Sequence, residues 1–358
     1  MHPSQISLVT CELDGLIQHL EELSEAYSSV FIISDSRIES AYRSQFDRES
    51  PAWKWITLSE GEMAKSLREV VHAWQDLASA HADRGSLVIG LGGGAVCDVA
   101  GFVAATYMRG IDIIQVPTTL LAMVDASVGG KTAIDFAGEK NLIGAFKVPI
   151  GVFICPHFLD SLDERQFRAG LAEIIKHAVI AGEEHRLALE ENMGAILAKD
   201  TAVLREVIEL SVRVKGDVVE RDPLEKGHRA LLNYGHTFGH AIEQLSPSGI
   251  LHGEAVAIGM SCAAWLSRAM GFVDDSFVDS QERLLIAAGL STQIPDDVAI
   301  EAIVKAMQRD KKAVLGQITC VLAHAWGDVQ IHKAMDPDLI AEVLQQKREA
   351  GKQEEVEV

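Results

Sequence analysis

Residues 86–108 read SLVIGLGGGAVCDVAGFVAATYM and carry the signals that decide the fold of the first part of the chain. Residues 86–91 form an apolar run typical of a buried strand, glycines occupy positions 92–94, and residues 95–108 have a helical composition. A strand that turns through glycine directly into a helix is the repeating unit of a parallel sheet. The glycines would also let a phosphate approach the start of the helix, although a plain tight turn would need them equally.

The same alternation of strands and helices continues on both sides of this segment. Residues 62–80 have helical periodicity, and strand-like runs occupy residues 29–34, 53–58, 112–116 and 148–155. Strands that alternate with helices predict an α/β, Rossmann-like, NAD-binding domain with a parallel sheet over residues 1–156.

From about residue 158 the pattern changes to helices. Amphipathic periodicity predicts them at residues 162–190, 193–217, 233–244, 252–270, 275–288 and 297–310, before a strand-like run at 318–321. We therefore predict a mostly α-helical second domain over residues 157–358, with the active site in the cleft between the domains. The charged end of the chain, residues 342–358, is predicted to fray.

Composition and charge exclude several classes of function. The hydrophobic fraction of 48% is typical of a globular protein, and no apolar stretch is long enough to predict a membrane span. The first residues lack the order of a signal peptide, and the 5 cysteines contain no CxxC pair, which favours a cytoplasmic location. The net charge of −20 disfavours nucleic acid and anionic membranes as partners. A small anionic substrate would need a local concentration of basic residues.

A second informative stretch, residues 229–260, reads RALLNYGHTFGHAIEQLSPSGILHGEAVAIGM. On one helix, Asn233, His236 and His240 would share a face, while His252 follows a Ser-Pro-Ser-Gly break and opens another helix. Imidazoles from two such helices can share a divalent metal, and spacing alone nominates His236 and His240 as the ligand pair. The alternative is that they are polar core or helix-capping residues.

Two further segments place polar side chains in apolar surroundings. The GGKT sequence at residues 129–132 is similar to the end of a nucleotide-binding P-loop, but the glycine required at position 125 is Asp125, so we reject an NTPase. In LAEIIKH, Glu173 and Lys176 share a helical face. Glu173 could supply an oxygen ligand beside the histidines, or it could form a structural ion pair with Lys176.

Taken together, six segments closely resemble the 3-dehydroquinate synthase family, which belongs to the sugar-phosphate cyclases. They span about residues 90–260 in the family's order and read GGGAVCDVAGFVAATYMRG, QVPTTLLAMVDASVGGKTAI, EKNLIGAF, GLAEIIKH, RALLNYGHTFGHAIE and HGEAVAIGM. The resemblance implies conversion of 3-deoxy-D-arabino-heptulosonate 7-phosphate to 3-dehydroquinate and phosphate, a step of the shikimate pathway to aromatic amino acids. It also implies catalytic NAD, a divalent metal (zinc or cobalt) and a homodimer. The chemistry would be transient oxidation, β-elimination of phosphate, reduction, ring opening and aldol closure.

The resemblance assigns roles residue by residue. It implies the metal ligands Glu173, His236 and His252, which frees His240 for the substrate. The residues implied to contact the substrate are Arg109 (from a second subunit), Asp125, Lys131, Asn141, Lys176, Lys215, Arg229, Asn233, His240 and Lys311. Among these, Lys215 and Arg229 would bind the carboxylate. The residues implied to contact NAD are Asp35, Glu62, Lys65, Gly93, Gly94, Asp98, Thr118, Thr119, Lys140, Phe158 and Ser161.

Four positions depart from the family pattern, namely Cys97, Ser161, Gln166 and His177.

Three alternatives remain beside the synthase. A sibling sugar-phosphate cyclase would have no use for a carboxylate-binding pair, and an NAD- and metal-dependent polyol dehydrogenase would need no phosphate site. A non-catalytic metabolite-binding protein would be expected to lack some of the metal or lysine positions, and none is missing.

Overall fold

The computed structural model describes residues 7–10, 12–49, 52–225, 227–246, 249–309 and 317–357. The chain divides into two compact units, Met1–Asp163 with Leu204–Val212, and Glu164–Val203 with Arg213–Val358. The predicted boundary after residue 156 and the predicted cleft stay predictions.

The first unit is built on a parallel sheet of six strands in the order β1-β8-β5-β4-β2-β3. Its strands are β1 Ser7–Thr10, β2 Val30–Asp35, β3 Lys54–Leu58, β4 Leu87–Gly92, β5 Asp112–Pro117 and β8 Gly151–Ile154. Every residue of β2 and β4 is buried, as expected for strands that are covered on both faces. The strands predicted from apolar runs are thus confirmed.

Helices and a hairpin complete this unit. The helices are α1 Leu13–Ser24, α2 Ser36–Glu49, α3 Leu67–Ser79 and α4 Gly94–Thr106. The hairpin pairs β6 Lys131–Phe136 with β7 Glu139–Phe146 in antiparallel register, and the sequence analysis did not predict it. The core between sheet, helices and hairpin contains Phe31, Val88, Val99 and Ile134.

The second unit is mostly helical, as predicted. Its elements are α5 Glu164–Ala181, α6 Glu183–Leu197, α7 Thr201–Arg221, α8 His236–Leu245, α9 His252–Ala269, α10 Asp275–Ala287, α11 Ile300–Arg309, β9 Ile318–Ala325, β10 Asp328–Met335 and α12 Pro337–Glu357. The middle of α7 is grouped with the first unit. Most of α9 is buried, and α5, α8, α10, α12 and β9 all contact it.

Several predictions for the second unit were wrong. Gly182, with φ 123°, separates α5 from α6 where one helix was predicted, and α7 begins only at Thr201. The charged tail does not fray over its described residues, because α12 buries Ile340, Val343 and Leu344. Within the described part of the chain, no helix is long and apolar enough to cross a membrane.

Candidate active site

Three potential metal ligands converge from three helices of the second unit. Glu173 lies on α5, His236 is the first residue of α8, and His252 is the first residue of α9. One donor atom from each of them lies within 4.8 Å of the other two. The Nε2 atoms of His236 and His252 are 3.5 and 3.6 Å from Glu173 Oε1.

Glycines bring these three helices together. A Cβ atom on Gly253 would lie 1.9 Å from the carbonyl oxygen of Ala169, so α9 and α5 are in backbone contact. A Cβ atom on Gly259 would lie 2.1 Å from the carbonyl oxygen of Gly235, which joins α9 to the start of α8. Gly235 itself has φ 76°, a conformation that glycine adopts without strain, and it turns the chain into α8. The glycines of GHTFGH and HGEAVAIG therefore position the ligands.

Both imidazoles present the same ring nitrogen to Glu173. Nδ1 of His236 is 3.1 Å from the carbonyl oxygen of Tyr234, and Nδ1 of His252 is 3.2 Å from Glu243 Oε2. Carbonyl and carboxylate oxygens only accept hydrogen bonds, so each Nδ1 carries the proton and donates it. The Nε2 atoms of both rings are therefore the ones available to a metal ion.

The residues fit a divalent metal. Both carboxylate oxygens of Glu173 are buried: Oε2 forms an ion pair with Lys176, and Oε1 faces the two imidazole nitrogens without a hydrogen bond among the described residues. Two ligands about 2.1 Å from a tetrahedral ion lie roughly 3.4 Å apart, close to the observed separations of 3.5 and 3.6 Å. One oxygen and two imidazole nitrogens are donors that zinc and cobalt accept. Such a set leaves positions open for substrate oxygens.

The electrostatics keep the carboxylate charged. Burial alone would raise the pKa of Glu173, but Lys176 and the imidazoles of His236 and His252 hold that pKa well below its usual range. Burial, together with the charge of Lys176, lowers the pKa of His236 well below its usual value. Burial also lowers the pKa of His252, but contacts with Glu173 and Glu243 outweigh this effect and raise the pKa to about 10. A metal bound at its Nε2 would displace that proton.

The pair nominated by spacing, His236 with His240, does not form the converging set. The imidazole of His240 is 5.3 Å from that of His236 and 5.9 Å from that of His252, measured between ring centroids. Asn233 is not on the same helix as predicted, because it ends a short 3₁₀ helix, His228–Asn233, before the turn at Gly235. Its Nδ2 atom donates to Glu225 Oε1 at 3.4 Å.

Three of the cations that the resemblance assigns to the substrate are almost fully buried in the second unit. Lys176 is 1% exposed and forms an ion pair with Glu173. Lys215 on α7 is 5% exposed and Arg229 is 3% exposed. The Nη1 atom of Arg229 donates to the carbonyl oxygen of Pro223 at 3.0 Å. Whether these three cations form the local basic concentration that an anionic substrate needs in a protein of net charge −20 stays a prediction.

In the first unit, the glycine turn lies at the carboxyl edge of the sheet. Gly93 precedes the first turn of α4, and a Cβ atom on it would lie 3.1 Å from Thr119 Cγ2. The backbone N–H of Thr118 donates to the carbonyl oxygen of Gly92 at 2.9 Å. Asp35 ends the neighbouring strand β2. Several predicted NAD contacts therefore share one edge, and the glycine turn leaves space that a side chain would fill, as a dinucleotide requires.

A second group of predicted residues surrounds Lys65, which is 5% exposed. Its Nζ atom is 2.6 Å from Asp98 Oδ2 and 3.8 Å from Glu62 Oε1, and it donates to Asn141 Oδ1. The backbone N–H of Asn141 donates to Asp135 Oδ1 at 2.8 Å. Asn141, implied as a substrate contact, therefore lies among residues implied to contact NAD.

The other implied residues are found at the following places. Lys131, Lys140 and Asn141 are exposed on the β6–β7 hairpin. Asp125 is half-buried in the helical turn Ala122–Ala126, and Arg109 is exposed with φ 69°. Lys311 lies outside the described residues.

Two family models match consecutive parts of the chain. The model described as 3-dehydroquinate synthase N-terminal matches residues 55–169, and the one described as 3-dehydroquinate synthase C-terminal matches residues 170–313. The chain belongs to the 3-dehydroquinate synthase family.

Individual relatives agree with this family. A protein named 3-dehydroquinate synthase from Desulforamulus reducens is 49% identical over 95% of this chain and 96% of its own length. Another of that name, from Synechocystis sp., is 39% identical over 96% of both chains. A solved structure of 2-deoxy-scyllo-inosose synthase, complexed with carbaglucose-6-phosphate, NAD⁺ and Co²⁺, matches with TM-score 0.87 and 26% identity over 95% of this chain and 96% of that one.

Two of the departures from the family pattern, Cys97 and Ser161, have local structural accounts. Cys97 is buried below the glycine turn, where its Sγ atom is 3.8 Å from the carbonyl oxygen of Gly92, and burial raises the pKa of its thiol. The hydroxyl of Ser161 lies 2.9 Å from that of Tyr42, whose ring packs against Phe158 with centroids 4.9 Å apart. His177 is buried and Gln166 is exposed.

Sequence reasoning missed Tyr42 and Glu243. Tyr42 carries no signal, because only the fold brings α2 beside the 3₁₀ helix Pro156–Ser161. Glu243 did carry one, since it stands seven residues after His236 and hence on the same face of α8.

Proposed function

We propose that this protein is a 3-dehydroquinate synthase, which converts 3-deoxy-D-arabino-heptulosonate 7-phosphate to 3-dehydroquinate and phosphate with catalytic NAD and a divalent metal. The observation that carries the proposal is the convergence of Glu173, His236 and His252 in a chain that is 49% identical to a named 3-dehydroquinate synthase. A sibling cyclase is supported less, because the 2-deoxy-scyllo-inosose synthase is only 26% identical.

The metal would be held by Glu173, His236 and His252. It would polarise substrate hydroxyl groups, so that a proton leaves more readily when a hydroxyl is oxidised. Around it, the buried ammonium of Lys176 compensates the Glu173 carboxylate and can orient a substrate hydroxyl. His240 lies one helical turn beyond His236, where it can contact the substrate without binding the metal.

The substrate carries a carboxylate and a phosphate, and different cations serve the two groups in this proposal. Arg229 can bind the carboxylate through two parallel N–H donors, with the ammonium of Lys215 as a second charged contact. Lys131, Asn141, Asn233 and His240 would bind the phosphate. Because Lys176, Lys215 and Arg229 are almost fully buried, water competes little with the substrate for them.

NAD would take up a hydride from the substrate and return it within the same reaction cycle. The residues proposed to hold it are Asp35, the turn at Gly93 and Gly94, Thr118 and Thr119, and the group around Lys65 and Asp98. The N-terminus of α4 supplies free backbone N–H groups for the pyrophosphate. Lys140, Phe158 and Ser161 complete the proposed set.

The proposal includes a cytoplasmic homodimer. Its support is the family pattern together with Arg109, an exposed cation that follows α4 and can reach a second copy of the chain. Light scattering coupled to size exclusion would measure the mass.

A phosphate-release assay tests the activity. The purified protein, loaded with zinc or cobalt, is given the heptulosonate phosphate and substoichiometric NAD. We expect many turnovers for each NAD and no accumulation of NADH absorbance. Stoichiometric NADH without phosphate release would instead indicate a polyol dehydrogenase. Faster turnover of a sugar phosphate without a carboxylate would indicate a sibling cyclase.

A further inference from the structure

Glu243 links two of the helices that carry the candidate metal ligands. It lies near the end of α8, and its Oε2 atom is 3.2 Å from Nδ1 of His252 at the start of α9. Its side chain is 16% exposed. The helix that begins with His236 therefore also supplies the hydrogen-bond acceptor for His252.

The two imidazoles are anchored by groups of different chemistry. His236 donates to the backbone carbonyl of Tyr234, which no substitution removes. His252 donates to a carboxylate, and its own side chain is 31% exposed, so burial constrains its ring less than that of His236. Its tautomer and ring orientation consequently depend on Glu243.

Helix electrostatics argue against a purely structural role for Glu243. A carboxylate in the last turn of a helix faces the partial negative charge of the unpaired carbonyls, which is unfavourable. Glu243 stands two residues before the last residue of α8, so its charge does not favour this helix. The contact with His252 offsets the cost.

We propose that Glu243 is a positioning residue of the metal site. It keeps the proton of His252 on Nδ1 and directs Nε2 toward Glu173 Oε1, 3.6 Å away. Its negative charge also makes the imidazole a stronger donor to a divalent cation. The inference rests on the metal site in the proposed function, and it adds a residue outside the set of ligands.

The test measures metal affinity rather than activity. Metal-free wild-type protein and the variants Glu243→Ala and Glu243→Gln are titrated with Co²⁺, whose visible absorption reports the bound ion, in competition with a chelator. We expect Glu243→Ala to bind Co²⁺ about 10- to 100-fold more weakly, the range typical of outer-shell partners of metal-bound histidine. Glu243→Gln keeps an oxygen acceptor but loses the charge, so we expect its affinity to lie between the two.

The matched control is Gln244→Ala, an exposed position on the same helix, whose affinity should equal that of wild type. Thermal unfolding of the metal-free proteins separates positioning from stability, since a positioning role moves the Co²⁺ affinity and leaves the metal-free midpoint nearly unchanged. Should Glu243→Ala fail to fold, Glu243→Gln decides alone.

The titration distinguishes a failure of the proposed metal site from a failure of the role proposed for Glu243. If the wild-type protein takes up no stoichiometric Co²⁺, the metal site of the proposed function is wrong. If the wild type binds Co²⁺ and the Glu243 variants bind it within threefold of wild type, only the role of Glu243 is wrong.

Discussion

At the scale of single residues, His240 and His252 are close neighbours with different expected roles. Both imidazoles lie near His236, but only His252 shares with it the convergence on Glu173. We predict that His252→Ala loses the bound metal and the activity together. His240→Ala should keep one metal per chain and turn over slowly. Elemental analysis beside the phosphate-release assay measures both, and metal lost from His240→Ala but kept by His252→Ala would restore the pair nominated by spacing.

The carboxylate contact is a second prediction at this scale. Removing a charged hydrogen-bond partner from an enclosed site costs about 2–4 kcal/mol, so Arg229→Met should lower kcat/KM roughly 30- to 1,000-fold. Arg229→Lys should also be impaired, because an ammonium cannot replace the planar fork. The variants are compared with wild type on the heptulosonate phosphate and on an analogue without the carboxylate. An equal loss on both substrates would contradict the assignment.

Single residues also show what the sequence could and could not predict of the site. The histidine-rich stretch indicated a metal, and the residues alone left Glu173 open as a ligand or an ion-pair partner. Spacing favoured His236 with His240 instead of the group that converges, because helical periodicity relates residues within one element while Glu173, His236 and His252 come from α5, α8 and α9. The contact between Glu243 and His252 has the same origin, since it crosses from α8 to α9.

At the scale of elements, apolar runs predicted the parallel sheet because its strands are buried on both faces. The β6–β7 hairpin escaped prediction because its residues are mostly exposed and show no apolar run. The end of the chain was assigned as frayed from its charge, but Ile340, Val343 and Leu344 lie on one buried face of α12. Tertiary packing, which composition does not reveal, decided that helix.

The contact of α9 with α5 gives a prediction of stability. Gly253→Ala places a methyl group 1.9 Å from the carbonyl oxygen of Ala169, and the helices must separate. We expect a loss of about 1–3 kcal/mol in the free energy of unfolding, with weaker metal binding. The control is Gly194→Ala on α6, where an added Cβ atom would have no neighbour within 4 Å. Because alanine favours a helix more than glycine does, this substitution should stabilise the protein by about 0.5–1 kcal/mol. Denaturant unfolding measures the free energy of unfolding of both variants. If Gly253→Ala and Gly194→Ala changed it equally, the close packing of α9 against α5 would be contradicted.

An ion pair between the same two helices predicts a dependence on pH. Arg165 Nε and Nη2 donate to Glu254 Oε1 and Oε2 at 2.7 and 2.8 Å, and although burial opposes it, this contact lowers the pKa of Glu254. Because the pKa of Glu254 is lower in the folded protein than in the unfolded chain, its charged carboxylate stabilises the fold at pH values above the unfolded-state pKa. This stabilisation is lost as the pH falls through the folded-state pKa.

We therefore expect Glu254→Gln to lower the unfolding midpoint of the metal-free protein at neutral pH. The pair is partly exposed, so the effect should be at most about 1 kcal/mol, or roughly 2–4 °C. The difference from wild type should shrink as the pH falls through the lowered pKa of Glu254, because a protonated Glu254 is uncharged like the glutamine that replaces it. Calorimetry at neutral and at acid pH is the measurement, and a difference that persists in acid would show that charge is not responsible.

At the scale of the whole molecule, a net charge of −20 repels the anionic substrate of the proposed reaction, while the cations proposed to bind it, most of them buried, attract it. Salt separates these effects, because the Debye length is about 10 Å at 0.1 M and exposed charges are screened far more than buried ones. Lys176, Lys215 and Arg229 are at most 5% exposed, so moderate salt should weaken the repulsion more than the attraction.

We predict that kcat/KM for the heptulosonate phosphate rises, by a factor on the order of two, between low and physiological ionic strength. Potassium acetate is a suitable salt, because its anion competes weakly for a phosphate site, and a constant metal and NAD concentration keeps the protein loaded. The Arg229→Met variant should show the same rise from its lower value, since the repulsion comes from the exposed surface and not from the pocket. A steep fall of kcat/KM with salt would mean that exposed cations guide the substrate, and that the buried ones do not account for its binding.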